Sequence, residues 1–470
     1  VRTRIRTIIA PLTALPLLLL VGAAPPDARA DRAERLARVL AEDTTADGAL
    51  RHLTAFQRIA DASGGHRAAG SPGHERSARY AGELLTAAGY RVDYQRFGFS
   101  YRETTAERLT TDDGRDIPIR AMTYTANTPD DGLTAPLAVA GGLGCTPEDY
   151  PGDTHRGRIA LVERGDCTFA AKAEQAAAAG AVAAVVYDSA PDGGPFGGTL
   201  GDPDAGVLPV GGISRADGLA LAAGDLDRPV RLDLAQRAED RETVNVLAET
   251  RGGDPDRVVM AGAHLDSVAD GPGINDNGSG SAGVLETALR LADHYRGGGA
   301  TVRFALWSAE ESGLLGSRHY VDGLTEDERA AISVYLNFDM IASPNAGFFV
   351  HDGTGAADGS AAVTGHLTEY LAEQGITAEP IPFNGRSDYA PFLEAGIAAG
   401  GSHTGAEGLK TEDQAARWGG TAGAPYDPCY HAACDDLGNL DRAALEANLR
   451  VIARAVGHSA WLPDALTTPR

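Results

Sequence analysis

VVMAGAHLDSVADGPGINDNGSG, residues 258–280, is the stretch from which the chain is best read. An apolar run of buried-strand character, VVMAGA, stops at His264. Asp266 follows two residues later, and Asp276 stands just ahead of a helix start in GINDNGSGSAG. A second apolar run, TVRFALWSA, ends at the adjacent pair Glu310 and Glu311, and a third, ISVYLNF, ends at Asp339. Three buried-type strands therefore each run into an acidic residue or a histidine. In an open α/β sheet, chemistry sits outside the carboxyl ends of the strands. The order strand, ligand-type residue, helix, strand predicts an α/β fold with a metal hydrolase site at that edge.

His264, Asp276, Glu311, Asp339 and His431 offer neutral imidazole and hard carboxylate, the donors zinc takes. Asp276 is central enough to bridge two ions. Ions about 3.5–4 Å apart clamp a bridging water and polarise a carbonyl. Glu310, next to a ligand yet poorly placed for the same pair, reads as the general base that activates this water. Asp266 is expected to orient the His264 imidazole from outside the ligand set. Tyr430, beside His431, is expected to donate its hydroxyl to a developing oxyanion. Arg386, in GRSD, is expected to orient acidic groups or substrate, and His403 lies in a loop on the same face. Taken singly, His264 is an ordinary histidine and Glu310–Glu311 a solvated acidic pair; the joint pattern points to metal. No G-x-S-x-G elbow and no H-E-x-x-H occurs, which argues against a serine hydrolase and a helix-based single-zinc protease. The glycine-rich run lacks the Lys-Ser/Thr of a phosphate loop.

Outward from this core, the chain of 470 residues has room for two or three domains. Residues 1–30 pair a basic start, VRTRIR, with a short apolar stretch and an Ala28-Arg29-Ala30 cleavage site. They read as a secretory signal, so the product is expected to be secreted and extracellular. Four arginines and one aspartate leave with it, taking the net charge from −24 to −27. Such acidity repels phosphate backbones and anionic lipid, so neither a nucleic-acid nor a membrane partner is expected, and the chain is taken as a monomer. The acidity also suits a structural Ca2+, although no EF-hand loop is present. Cys145, Cys167, Cys429 and Cys434 favour disulfides in an exported chain, and proximity favours Cys145–Cys167 and Cys429–Cys434 among the three pairings. The second would hold Tyr430 and His431 in place. Residues 31–133 read as helices leading into the α/β domain, with a strand at 90–99. Residues 134–236 alternate strands with an alanine-rich helix and carry no catalytic cluster. DRPVRLDLAQ closes that module as a strand; RETVNVLAET resumes the main domain, which runs over 237–463.

In AHLDSVADGPGINDNGSGSAGVLE, AEESGLLGSRHY, YLNFDMIASPN, GRSDYAPF, KTEDQAARWGGTAG and YDPCYHAACD, the chain resembles the M28 zinc aminopeptidases, especially the secreted Streptomyces type. The resemblance covers roughly 240–445. It implies a three-layer, mixed-sheet zinc-exopeptidase fold and two Zn2+ per chain. One ion takes His264 and Asp339, the other Glu311 and His431, with Asp276 between them. It also implies Glu310 as catalytic base, Tyr430 as the carbonyl-polarising residue, Arg386 near the substrate terminus and a disulfide in CYHAAC. The expected reaction is removal of an N-terminal residue, often large and apolar such as Leu, from peptides. VERGDCTFAAKAEQAAAAGAVAAVVYD and LPVGGIS resemble a protease-associated (PA) domain, which makes 134–236 a β-rich insertion. Two rival readings are a glutaminyl-cyclase-like enzyme needing one zinc and a nonenzymatic, receptor-like binding protein. The full ligand set weighs against both.

Overall fold

The computed structural model describes residues 26–189 and 194–468. Residues 1–25 of the expected leader lie outside the described residues, and its cleavage tripeptide falls within the helix Pro26–Asp43. The sheet that carries the site has four parallel strands at its centre. Their order is Ala399–His403, Ile332–Phe338, Asp254–His264 and Ala300–Trp307. Parallel neighbours need crossovers, and helix Gly280–His294 lies between two of these strands in the chain. Antiparallel strands extend the sheet on both sides, Val230–Glu249 and Arg91–Thr111 on one, Phe349–Asp352 on the other.

Alternation along the central strand builds the three layers. Val259, Ala261 and Ala263 face one core, with Leu285, Leu449 and Ile452 from the helices Gly280–His294 and Arg442–Trp461. Val258 and Met260 face the other, with Tyr320 and Phe392 from the helices Leu315–Asp322 and Tyr389–Glu394. A slip of one residue would exchange the two sets, so the register is strongly specified. In that register His264 lies opposite Trp307, which brings the ends of both strands to one edge.

A second sheet of six strands runs Leu137–Val139, Ile159–Glu163, Ala183–Tyr187, Val210–Ile213, Ile119–Thr123, Gly198–Thr199. Ile119–Thr123 joins it from ahead of residue 134. A ribbon of the first sheet, Arg91–Thr111 paired antiparallel with Val230–Glu249, runs on to the second. At its far end Leu109, Leu232 and Leu234 pack with Ile159, Leu161 and Val185. The expected strand at 90–99 thus continues to Thr111, and DRPVRLDLAQ and RETVNVLAET form one strand rather than two. The residues between them pair without interruption, Phe99 with Arg241 and Tyr101 with Glu239. Both proposed disulfides are present, with Cα atoms 5.9 Å apart in Cys145–Cys167 and 5.3 Å apart in Cys429–Cys434.

Candidate metal centre

Each strand end delivers one part of the centre. His264 is the last residue of Asp254–His264, and its Nδ1–H donates to the Asp266 carbonyl at 3.1 Å. That fixes the ring so that Nε2 faces Asp276 Oδ1 at 3.3 Å and Asp339 Oδ1 at 3.4 Å. Asp339 follows the strand Ile332–Phe338, and its other oxygen accepts from Ser387 Oγ at 2.6 Å. On the opposite side of Asp276, Oδ2 stands 3.2 Å from His431 Nε2, which is 3.0 Å from Glu311 Oε2. Two groups of three ligand-type side chains result: His264, Asp276 and Asp339, and Asp276, Glu311 and His431. They share Asp276. Among the described residues no third group of this kind is found that would take the expected structural Ca2+.

The donors fit metal. Neutral imidazole and carboxylate in sets of three with a shared carboxylate are what zinc accepts. Glu311 Oε1 and Asp339 Oδ1 are buried without a hydrogen-bond partner, and an unsatisfied buried carboxylate oxygen is costly unless something cationic meets it. Burial pushes the Glu310 carboxyl well above its ordinary range, and the neighbouring Glu311 and Asp339 add to that. Glu310 Oε2 lies 3.9 Å from His264 Nε2 and belongs to neither group of three.

The surrounding side chains hold this geometry. Asp266 meets His264 through its carbonyl, while its carboxylate Oδ1 stands 3.7 Å from the ring and accepts the Glu310 N–H at 3.3 Å. Asp266 therefore ties the first strand end to the second. Tyr430 stacks on His431 with ring centroids 3.8 Å apart, and burial raises its hydroxyl pKa. Arg386 donates to that hydroxyl at 3.2 Å and to Glu407 Oε1 at 2.9 Å. His403 lines the same cavity and donates from Nδ1 to the Asp339 carbonyl at 2.9 Å. The Cys429–Cys434 bridge encloses Tyr430 and His431. Ala309, Met340 and His431 all have left-handed backbone, with φ of 56°, 50° and 56°. Non-glycine residues in that region cluster at functional sites, where the surroundings over-determine the conformation.

Two supporting residues escaped the sequence reading. Arg67 lies in GGHRAAGSPG, which reads only as a loop. It is fully buried and donates to the carbonyls of Leu265, Pro272 and Gly273, the last two at 2.9 and 2.5 Å. It thus braces both ends of the segment between His264 and Asp276. Asp435 accepts the N–H groups of Asn275 and Asp276 at 2.8 and 3.0 Å, and burial pushes its carboxyl up to about 7. Its place right after Cys434 was the available signal.

Residues 245–456 match peptidase family M28, and residues 133–221 match the PA domain. The chain is 42% identical to the probable lipoprotein aminopeptidase LpqL of Mycobacterium tuberculosis over 440 residues, covering 90% of this chain and 87% of that protein. It is 44% identical to the probable leucine aminopeptidase 2 of Aspergillus fumigatus, covering 85% and 80%. Among solved structures, the aminopeptidase from Aneurinibacillus sp. strain AM-1 superposes with a TM-score of 0.71 at 27% identity, covering 90% of this chain and 96% of that one. The zinc aminopeptidase BSAP from Bacillus subtilis does so with a TM-score of 0.62 at 30% identity, covering 88% and 94%. By these likenesses, and by the sheet edge that carries the two ligand groups, the chain belongs to peptidase family M28 and carries a PA domain.

Proposed function

We propose that this chain is a dinuclear zinc aminopeptidase that removes the N-terminal residue of peptides, with preference for a large apolar one such as Leu. The observation that carries the reading is the pair of ligand groups sharing Asp276, with Glu310 beside them and in neither. When bound there, two zinc ions polarise the scissile carbonyl and lower the pKa of a water to about 7. Glu310 takes the proton of the attacking water and returns it to the leaving amine. Tyr430 donates its hydroxyl to the oxyanion forming on the carbonyl, and the Arg386 cation supports charge at that point. The negative charge gathered at the centre attracts the free α-ammonium of a peptide, which favours exopeptidase action. Met340, Ile381 and Ala406 line the adjoining cavity and suit an apolar first side chain. The Aspergillus relative's name, a leucine aminopeptidase, agrees with that preference.

The finer likeness to the secreted Streptomyces type belongs to this proposal and rests on the motifs AEESGLLGSRHY and GRSDYAPF. So does the division of the chain at 134 and 236. Export is supported by the basic and apolar order of residues 1–30 and by two disulfides. No described helix is long and apolar enough to cross a membrane. The net charge of −24 supports a chain without nucleic-acid partners, working as a monomer on peptide N-termini.

Glu310→Gln tests the mechanism. The variant is expected to hold as much zinc as the parent, by elemental analysis, while kcat falls roughly 10²–10⁴-fold. Retained turnover at full zinc content would remove Glu310 as base. Peptides with free N-termini are expected to be cleaved and their acetylated counterparts spared.

A further inference from the structure

The second sheet reaches the metal centre through Tyr124. This residue follows the strand Ile119–Thr123, is 1% exposed and has a φ of 69°. Its hydroxyl donates to the main-chain carbonyl of Ser312 at 2.7 Å. Ser312 directly follows Glu311. The turn around it closes on itself: the N–H groups of Gly313 and Leu314 donate to the Glu310 carbonyl at 2.8 and 2.9 Å, and Leu315 N–H donates to the Ala309 carbonyl at 3.0 Å. Ala309 and Leu314 both have left-handed backbone, at φ 56° and 63°. The turn is tied to the central strand at Glu310, whose N–H donates to Asp266, and to the second sheet at Ser312, on the far side of Glu311.

Tyr124 is itself held rigidly. Its N–H donates to Gln236 Oε1 at 3.1 Å, the Gln236 amide donates to the Met122 carbonyl at 3.2 Å, and the Arg102 guanidinium lies 5.6 Å above its ring. Gly313 packs against the same surface: a methyl group there would stand 3.6 Å from Thr199 Oγ1 and 3.8 Å from Tyr124 Cε2. One hydrogen bond from the second sheet therefore bears on this turn, with Thr199 and the Tyr124 ring lying beside Gly313.

We infer that Tyr124 is a positioning residue for the metal centre, its hydroxyl holding the Ser312 carbonyl and so aiming Glu311 at His431 and Asp276. The inference rests on the reading of Asp276, Glu311 and His431 as metal ligands. It makes the second sheet part of the support of one metal position. The other group, His264, Asp276 and Asp339, takes no residue from this turn. Loss of the hydroxyl should therefore act on the two positions unequally.

Tyr124→Phe in the full chain tests this, since phenylalanine keeps the ring and its packing. Zinc per chain is measured by elemental analysis after dialysis against buffers of graded free zinc, beside the parent. The variant is expected to hold one zinc as tightly as the parent and the other roughly tenfold or more weakly, the range for loss of a partner behind a metal ligand. Its kcat is expected to fall at limiting zinc with KM unchanged and to recover in excess zinc. Parental affinity at both positions overturns the inference, and so does equal weakening of both, which a general loss of structure would produce. A parent chain that binds fewer than two zinc ions overturns the metal reading itself, and this inference with it.

Discussion

Arg67 and His351 show what single buried groups contribute around the centre. Arg67 is held by three carbonyls, and burial lowers its pKa to about 10, still far above neutrality. Arg67→Met leaves those carbonyls without donors and removes a buried cation that interacts with Asp266, Asp435 and Asp276. A buried acceptor left unsatisfied costs about 1–3 kcal/mol. Urea unfolding is expected to show a loss of that order, with zinc content reduced as well; a loss under about 1 kcal/mol would mean water replaces the guanidinium. His351 stacks on Phe383, with centroids 5.0 Å apart, and meets the tilted ring of Tyr389 at 4.6 Å. Burial, and then nearby His403, push its pKa down to about 3. The unfolded chain takes up that proton near pH 6.5, so stability is complete above that pH and is lost as pH falls toward 3. One proton contributes a slope of about 1.4 kcal/mol per pH unit. His351→Phe is expected to flatten the acid limb by that amount in urea titrations of zinc-free protein. Parallel limbs for variant and parent would show that His351 does not carry this slope.

At the scale of elements, the approach of helix Gly280–His294 to the strand that ends at Phe338 sets how near Asp276 stands to Asp339. A Cβ at Gly280 would lie 2.1 Å from the Phe338 carbonyl and 2.4 Å from Asn277 Oδ1. Alanine improves helix propensity by about 1 kcal/mol, but the clash forces backbone apart at a cost of about 1–3 kcal/mol. Gly280→Ala is therefore expected to lower both thermal stability and zinc content; a more stable variant would show that the helix can withdraw freely. The parallel strands were legible because strands buried on both faces read as unbroken apolar runs. Their last residues were legible because a charge closing such a run is unusual. Arg67 was not legible, since a loop arginine is ordinarily solvated and nothing in GGHRAAGSPG marks this one as enclosed. The ribbon was not legible either. From Gln236 to Glu242 all residues but Ala238 are polar, and most of them are exposed, so the stretch imitates a boundary between domains.

For the whole molecule, the centre concentrates negative charge that only cations or protons can balance. Asp276, Glu310, Glu311 and Asp339 all gather there, with Arg67 the buried cation behind them. A metal that binds the native state alone adds about 2.7 kcal/mol at one hundred times its Kd. Chelation is thus expected to abolish activity and lower Tm by a few degrees, reversibly on adding zinc; an unchanged Tm would mean the ions hold no folding energy. The ribbon has a different consequence. Thr104 lies opposite Gln236, so everything between them leaves and returns through neighbouring positions on paired strands. To the main sheet the chain between them is the tip of a hairpin. A short turn grafted between those two positions would close the main sheet with almost no extra entropy of loop closure and leave every parallel crossover as it is.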